Sequence, residues 1–304
     1  MRVLFVGLGS IARKHIAAIK EIDESVIIYA LRSNQDAKSI TDVVNIYSFD
    51  DIPKLNFDFV ILSNPTACHF QSLNQLKNLN IPLFIEKPLF DRTGKAQDKL
   101  VNTIISNKTP TYVACNLRFL DSIVKMKEII QSERVNEVNV YCGSYLPDWR
   151  PGVNYKTVYS SNKELGGGVH IDLIHELDYV YWLFGNPKQT KSFFRNNSSL
   201  DITAYDYANY LWEYDKFAVS IVLNYYRKDA KRSLEVLCES GTYTVDLLYN
   251  TISFNSKTIF ESSQRIGDTY FNQMNFFIHQ VLHDGNDFNS IDQANNILKL
   301  CLTD

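Results

Sequence analysis

The chain has 304 residues, a formal net charge of −3, 45% apolar residues and 21% charged residues. That length predicts about two domains and a core large enough to need no staples, and the composition excludes a disordered chain. The near balance of acids and bases gives no electrostatic reason to bind nucleic acid or an anionic membrane surface, and no apolar run approaches the roughly 18 residues of a membrane helix. The first residues run straight into an apolar stretch and a glycine turn, so we expect no secretory leader and a cytoplasmic location. Five cysteines (Cys68, Cys115, Cys142, Cys238, Cys301), odd in number and never in a CxxC pair, read as reduced thiols.

The first half alternates. Residues 2–6 form an apolar run of strand type, and residues 11–22 carry apolar side chains at helical spacing. Further strand-type runs follow at 26–31, 43–46, 57–62, 81–85 and 111–115, with helical stretches at 67–79 and 92–107. Strands alternating with helices predict βαβ units and a mostly parallel sheet. A helix at 121–132 follows. After about residue 135 the runs become longer and rich in Tyr, Phe, Val and Thr: 137–145, 189–194, 204–214, 217–226, 232–239, 242–248 and 251–254. Asp215-Lys216 reads as a hairpin tip and Gly241 as a turn, so this half predicts a mainly antiparallel sheet. Helices are expected at 169–184, stopped by Gly185-Asn186-Pro187, and at 269–283 and 291–302. The predicted fold class is α/β, with a dinucleotide-type domain at 1–117 and an α+β domain with a mainly antiparallel sheet at 118–304.

Gly7-x-Gly9-x-x-Ala12 lies directly after a strand and opens a helix. In a dinucleotide fingerprint the first glycine permits the tight turn. The second lets a pyrophosphate approach the backbone, and the third small residue lets helix and strand pack closely. The helix N-terminus at Ser10 and Ile11 supplies amide hydrogens and a positive dipole end. The alternative is a merely structural glycine turn. An acid at the end of the second strand would favour NAD. The chain instead reads Arg32-Ser33-Asn34 there. Arg32 can stack on adenine or pair with a 2′-phosphate and Ser33 can donate to that phosphate, which leans to NADP. If Arg32 is a solvated loop charge, NAD binds instead.

These residues, together with Asn64-Pro65-Thr66 and His69 after the fourth strand, Glu86-Lys87-Pro88 after the fifth, and Gly166-Gly167-Gly168 leading to Asp172, His175 and Asp178, resemble the Gfo/Idh/MocA family, that of glucose–fructose oxidoreductase, inositol dehydrogenase and relatives. The resemblance runs over nearly the whole chain. It implies an N-terminal Rossmann domain and a C-terminal α/β domain whose large open sheet forms a homodimer or homotetramer interface. It also implies a hydride transfer between a nicotinamide and a hydroxyl-bearing carbon of a sugar, sugar acid or nucleotide-sugar. It extends the cofactor contacts to Asn64, Pro65, His69, Glu86 and Lys87. In many members the helical Asp and His are four residues apart, and here Asp172 and His175 are three apart. Either spacing puts both on one helix face.

Removal of a hydroxyl proton suits a histidine, so His175 is the expected general base or acid. Lys87, at a strand's carboxyl end, can stabilise charge on the reacting oxygen. Asp172 is expected to orient His175 or Lys87, or to bind a substrate hydroxyl, and Asp178 to be structural. Arg118, Trp149, Arg150, Tyr155 and His170 are candidate substrate contacts. Aromatics stack on sugar faces and arginine pairs with carboxylate or phosphate, which suits an anionic sugar. The segment Tyr145-Leu146-Pro147-Asp148-Trp149-Arg150-Pro151 looks like that of family members associated with bacterial surface-polysaccharide pathways. His279 and His283 stand four apart, but lack the Glu of HExxH and an evident third ligand, so no metal is expected. Two other functions fit the same fold: an NAD-dependent glycosidase acting by transient oxidation and elimination, and a non-catalytic nicotinamide-binding regulator.

Overall fold

The computed structural model describes residues 1–34, 40–282 and 287–303. The chain forms two compact units, Met1–Cys115 with Tyr270–Leu298, and Asn116–Thr269 with Lys299–Asp304.

In the first unit six strands, β1 (Arg2–Val6), β2 (Ile27–Leu31), β3 (Val43–Ile46), β4 (Phe59–Leu62), β5 (Leu83–Glu86) and β6 (Thr111–Ala114), form one sheet in the order β3-β2-β1-β4-β5-β6. Every pair is parallel. β4 and β6 are buried at every residue and β1 at all but its first. Strands covered on both faces read as unbroken apolar runs, which is why they were visible in the sequence. The helices α1 (Ser10–Ile22), α2 (His69–Leu76) and α3 (Lys95–Ser106) alternate with the strands. Strand order reverses between β1 and β4, and ligands of such sheets bind outside the carboxyl ends at that switch point.

The expected boundary at 117 lies two residues from the observed break, but the second domain does not hold everything beyond it. Tyr270–Leu298 returns to the first unit. Helix α7 (Thr269–Phe276) leads into a π-helical turn, Phe277–Val281. There Phe277 packs edge-on against Phe59 and Phe84, with ring centroids 5.2 and 5.3 Å apart. Further on, the Val113 amide donates to Asn289 O at 2.9 Å, and Asn289 Nδ2 donates back to Val113 O at 2.6 Å. The outer edge of β6 is thereby paired rather than left open. Helix α8 (Ile291–Leu302) follows.

In the second unit β7 (Val135–Gly143), β8 (Gln189–Arg195), β9 (Tyr207–Glu213), β10 (Ala218–Asn224), β11 (Lys231–Cys238), β12 (Thr242–Asp246), β13 (Thr251–Phe254) and β14 (Lys257–Glu261) form a sheet in the order β14-β13-β12-β11-β7-β10-β9-β8. All pairs are antiparallel except β7 with β10. One face carries the core: Val138, Val140, Tyr210, Trp212, Val219, Ile221, Leu234 and Val236 are buried. The helices α4 (Asp121–Ile130), α5 (Val169–Asp172) and α6 (Ile174–Phe184) belong to this unit. β14 was missed in the sequence. It is reached through Asn255-Ser256, both at positive φ (47° and 68°), a two-residue hairpin without the glycine that usually marks one. The expected helix at 169–184 is also corrected. It breaks at Leu173 (φ −100°, ψ 27°), so Asp172 ends one helix and His175 is the second residue of the next, and they do not share a helix face. Gly185, at φ +80°, stops α6 as expected.

Among the described residues no disulfide joins any of the five cysteines, and four of them are buried. Burial pushes the Cys142 thiol well above its ordinary value and Cys238 up to about 11. No described helix is long and apolar enough to cross a membrane.

Candidate functional site

In the first unit three loops gather at the carboxyl ends of β1, β4 and β5. Gly7 has φ +99°, and a Cβ there would stand 2.6 Å from the Cα and N of Asn64. Only glycine lets the β1 loop lie against the β4 loop. Ser63 stitches the two, its hydroxyl donating to Gly7 O at 2.9 Å. Gly9 is the N-cap of α1, in extended conformation, with no side chain capping the helix and no acidic residue in its first turn. A Cβ on Gly9 would meet nothing within 4 Å. Ala12 is fully buried, so helix and sheet pack closely there. The amide end at Ser10 and Ile11 therefore has a positive dipole, no internal cap and open space in front of it, which is what a pyrophosphate needs. Asn64 Nδ2 donates to Ser72 Oγ at 2.9 Å, while its Oδ1 is buried with no partner. That acceptor beside the cradle also fits a dinucleotide, whose amide and hydroxyl groups donate. Pro65 is exposed at the start of the next turn.

His69 is not presented to a ligand. It is 1% exposed, with Nδ1 3.1 Å from Leu89 O and Nε2 3.0 Å from Asn64 O. Burial lowers its pKa below the ordinary value, against backbone contacts that raise it. A neutral imidazole has one N–H, so one of the two carbonyls accepts it. The residue ties the loop after β4 to the segment after β5. Lys87 is half-buried, and its amide donates to Glu86 Oε2 at 3.3 Å. Glu86 Oε1 lies 2.5 Å from Nε2 of His15, a fully buried residue of α1 that the sequence did not single out. Arg32, just past β2, is half-buried and donates from Nη1 to Asn45 Oδ1 at 3.2 Å, and Ser33 beside it is exposed.

In the second unit both carboxylate oxygens of Asp172 are engaged by phenols: Tyr159 donates at 2.6 Å and Tyr225 at 2.5 Å. Burial, then the Asp172 charge, pushes both phenols well above their ordinary values. Tyr225 carries no local signal in the sequence, because its partner lies 53 residues away. The Trp149 ring meets Tyr225 edge-on at 5.2 Å, and its Nε1 donates to Ser144 Oγ at 2.9 Å. Trp149, Arg150 and Tyr155 line one small recess with Leu146 and Pro147. The structure thus brings together three of the five expected substrate contacts. Two others are corrected. Arg118 is 1% exposed, and its guanidinium grips Asp178 through Nε at 2.8 Å and Nη2 at 2.7 Å. It is an internal ion pair, and Asp178 is structural as expected. His170 is 8% exposed and packs its ring against Phe194 and Tyr205, at 5.3 and 5.5 Å.

His175 is the second residue of α6 and half-buried, with Nδ1 turned inside. Its neighbour Glu176 is fully buried and accepts from Arg232 Nε of β11 at 2.5 Å, which anchors the helix start to the sheet. His279 lies in the π-helical turn, and His283 lies outside the described residues.

Residues 1–114 match the family described as "Oxidoreductase family, NAD-binding Rossmann fold", and residues 123–244 the GFO/IDH/MocA C-terminal domain. The chain is 23% identical over 193 residues to a myo-inositol 2-dehydrogenase of Thermotoga maritima, covering 61% of this chain and 55% of that protein. It is 24% identical over 203 residues to a glucose-6-phosphate 3-dehydrogenase of Bacillus subtilis, covering 63% and 56%. The chain thus spans about half the length of the curated relatives it matches. Among solved structures, a scyllo-inositol dehydrogenase from Lactobacillus casei with bound NAD(H) and scyllo-inositol superposes with a TM-score of 0.80 at 18% identity, covering 99% of this chain and 95% of that one. A UDP-N-acetylglucosamine 3-dehydrogenase from Acidithiobacillus ferrooxidans gives 0.80 at 15%, with the same coverage. With both halves of the chain matched in order, this protein belongs to the Gfo/Idh/MocA family of NAD-binding oxidoreductases.

Proposed function

We propose that the protein is a cytoplasmic dehydrogenase or reductase that acts with NADP or NAD on a hydroxyl-bearing carbon of a sugar, sugar acid or nucleotide-sugar. The observation that carries this reading is the glycine-opened, uncapped N-terminus of α1 at the sheet's switch point, with Lys87 two strands along at the end of β5. A bound nicotinamide dinucleotide supplies the hydride acceptor. Gly7, Gly9, Ser10, Ile11 and Ala12 hold its pyrophosphate, with Asn64 and Pro65 beside them. Arg32 and Ser33, at the end of β2, take the adenosine 2′-phosphate, which makes NADP the preferred form. His175 takes the hydroxyl proton as the carbonyl forms and returns it in the reverse direction. The Lys87 ammonium donates to the reacting oxygen and stabilises the charge that develops there.

Asp172, held by Tyr159 and Tyr225, accepts from a substrate hydroxyl. Trp149, Arg150 and Tyr155 bind the rest of the substrate, Arg150 facing an anionic group. The exposed apolar residues Phe193 and Leu211 on β8 and β9 support self-association through the eight-stranded sheet.

The test is purified protein with NAD or NADP and a panel of sugars, sugar acids and nucleotide-sugars, followed by nicotinamide absorbance. Lys87→Ala and His175→Ala should each lose about 100-fold or more in kcat, the usual weight of positioned acid–base groups. Full activity in both variants would overturn the assignment. Substrate breakdown with no net accumulation of reduced cofactor would point instead to elimination chemistry.

A further inference from the structure

We propose that His15, acting through Glu86, is a positioning residue that sets the cofactor cradle and Lys87 in register, an inference that rests on the dinucleotide reading above. His15 lies on α1, the same helix whose N-terminus forms the cradle, six residues past Gly9 and therefore about 9 Å down the axis. Glu86 is the last residue of β5 and immediately precedes Lys87. In the sheet, β1 and β5 are separated by β4, so the ends of the two strands stand roughly 10 Å apart. A side-chain contact crosses that gap. His15 Nε2 meets Glu86 Oε1 at 2.5 Å, with the imidazole fully buried and the carboxylate side chain 12% exposed. A carboxylate can only accept, so Nε2–H is the donor. The other carboxylate oxygen accepts from the Lys87 backbone amide at 3.3 Å. A continuous path thus runs from cradle helix to imidazole to carboxylate to the backbone that carries the reacting lysine.

Stability does not account for a polar pair at this place. The ring packs edge-on against the apolar Phe84 at 4.9 Å, and Nδ1 is buried with no partner. A buried polar pair with an unsatisfied atom is commonly matched or bettered in stability by apolar side chains of the same volume. What the pair does supply is direction. A hydrogen bond of this length to a charged acceptor fixes distance and angle, whereas an aliphatic contact would let helix and strand slide. A shift of α1 moves the amides that face the pyrophosphate, and a shift of Glu86 moves Lys87.

The experiment uses the full chain and titrates NADH and NADPH by fluorescence, with melting measured alongside. His15→Leu keeps the buried volume and removes the donor, and His15→Gln keeps a donor. The expected result is that His15→Leu weakens the better-bound dinucleotide by about tenfold or more, roughly 1.4 kcal/mol, without lowering the melting temperature. His15→Gln should stay within about threefold of the wild type, and adding Glu86→Ala to His15→Leu should cost no more than the larger single loss, because one contact is being removed twice. If His15→Leu does not fold, His15→Asn, whose amide is too short to reach, takes its place. The proposal is overturned if the donor-free variant binds within about twofold of the wild type, if Gln fares as badly as Leu, or if the two losses multiply. A wild-type protein that binds neither dinucleotide would refute the cofactor reading itself, a different outcome from wild-type binding that the variants leave intact.

Discussion

The two glycines of the fingerprint do different physical work, and substituting each with alanine separates folding from binding. Gly9 has φ −77° and ψ −169°, which any residue adopts, and its added methyl would meet nothing within 4 Å. The fold cost of Gly9→Ala is that of a poorer N-cap, about 0.5–1 kcal/mol, with the melting temperature lowered by about 2–4 °C. The ligand cost is larger, because the methyl occupies the space a pyrophosphate must enter. Displacing the phosphate from two helix amides forfeits two hydrogen bonds to a charged group, about 1.5–3 kcal/mol each, so affinity should fall by about two decades or more. Gly7→Ala behaves oppositely. Its methyl would sit 2.6 Å from the backbone of Asn64 at a φ of +99°. The left-handed penalty of about 1–2 kcal/mol adds to an overpacking cost of about 1–3 kcal/mol, and the damage is to the fold. Urea denaturation and NADH titration of the two variants give the readout. If Gly9→Ala binds the dinucleotide within about threefold of the wild type, the helix end is not the pyrophosphate seat.

Three further outcomes follow from buried and half-buried side chains. Arg118→Met leaves Asp178 buried and unpaired and should cost about 3–5 kcal/mol in denaturation. Adding Asp178→Leu should recover most of that loss, and a cost below about 1 kcal/mol for the single variant would return Arg118 to the surface. Arg32→Ala should weaken NADPH by about tenfold while leaving NADH unchanged, and equal loss for both would remove the 2′-phosphate contact. His69 has a folded pKa below its ordinary 6.5 because burial disfavours the charged ring. The folded state therefore binds fewer protons than the unfolded one. Its contribution is complete above about pH 6.5 and is lost as pH falls toward the folded value. The stability gap between wild type and His69→Asn should narrow from about pH 8 to 5, by at most about 1.4 kcal/mol per pH unit, and a constant gap in denaturation curves would refute the linkage.

Much of the fold was legible because it is written in short windows. Strand β4 is a run of apolar residues because both faces are covered, and Gly7-x-Gly9-x-x-Ala12 is a turn, an open cap and a tight packing position within six residues. The hairpin at Asp215-Lys216 and the stop at Gly185 are local in the same sense, since backbone conformation there is decided by the residues in the turn. The break at Leu173 escaped because no glycine or proline marks it and apolar residues continue across it, so periodicity gave no sign of a kink.

What the sequence by itself determined about this protein is the alternation of its first half, the sheet-rich texture of its second, and the glycine turn that opens α1. Tertiary structure decided which polar residues are available. Arg118 meets Asp178 across 60 residues, His15 meets Glu86 across 71, and Asp172 meets Tyr225 across 53. Residues 270–298 return to the first unit by the same kind of distant contact, Asn289 pairing with Val113 across 176 positions. The physical reason is that side-chain type and spacing act within a few residues, whereas burial and pairing depend on which distant elements the packed core brings alongside.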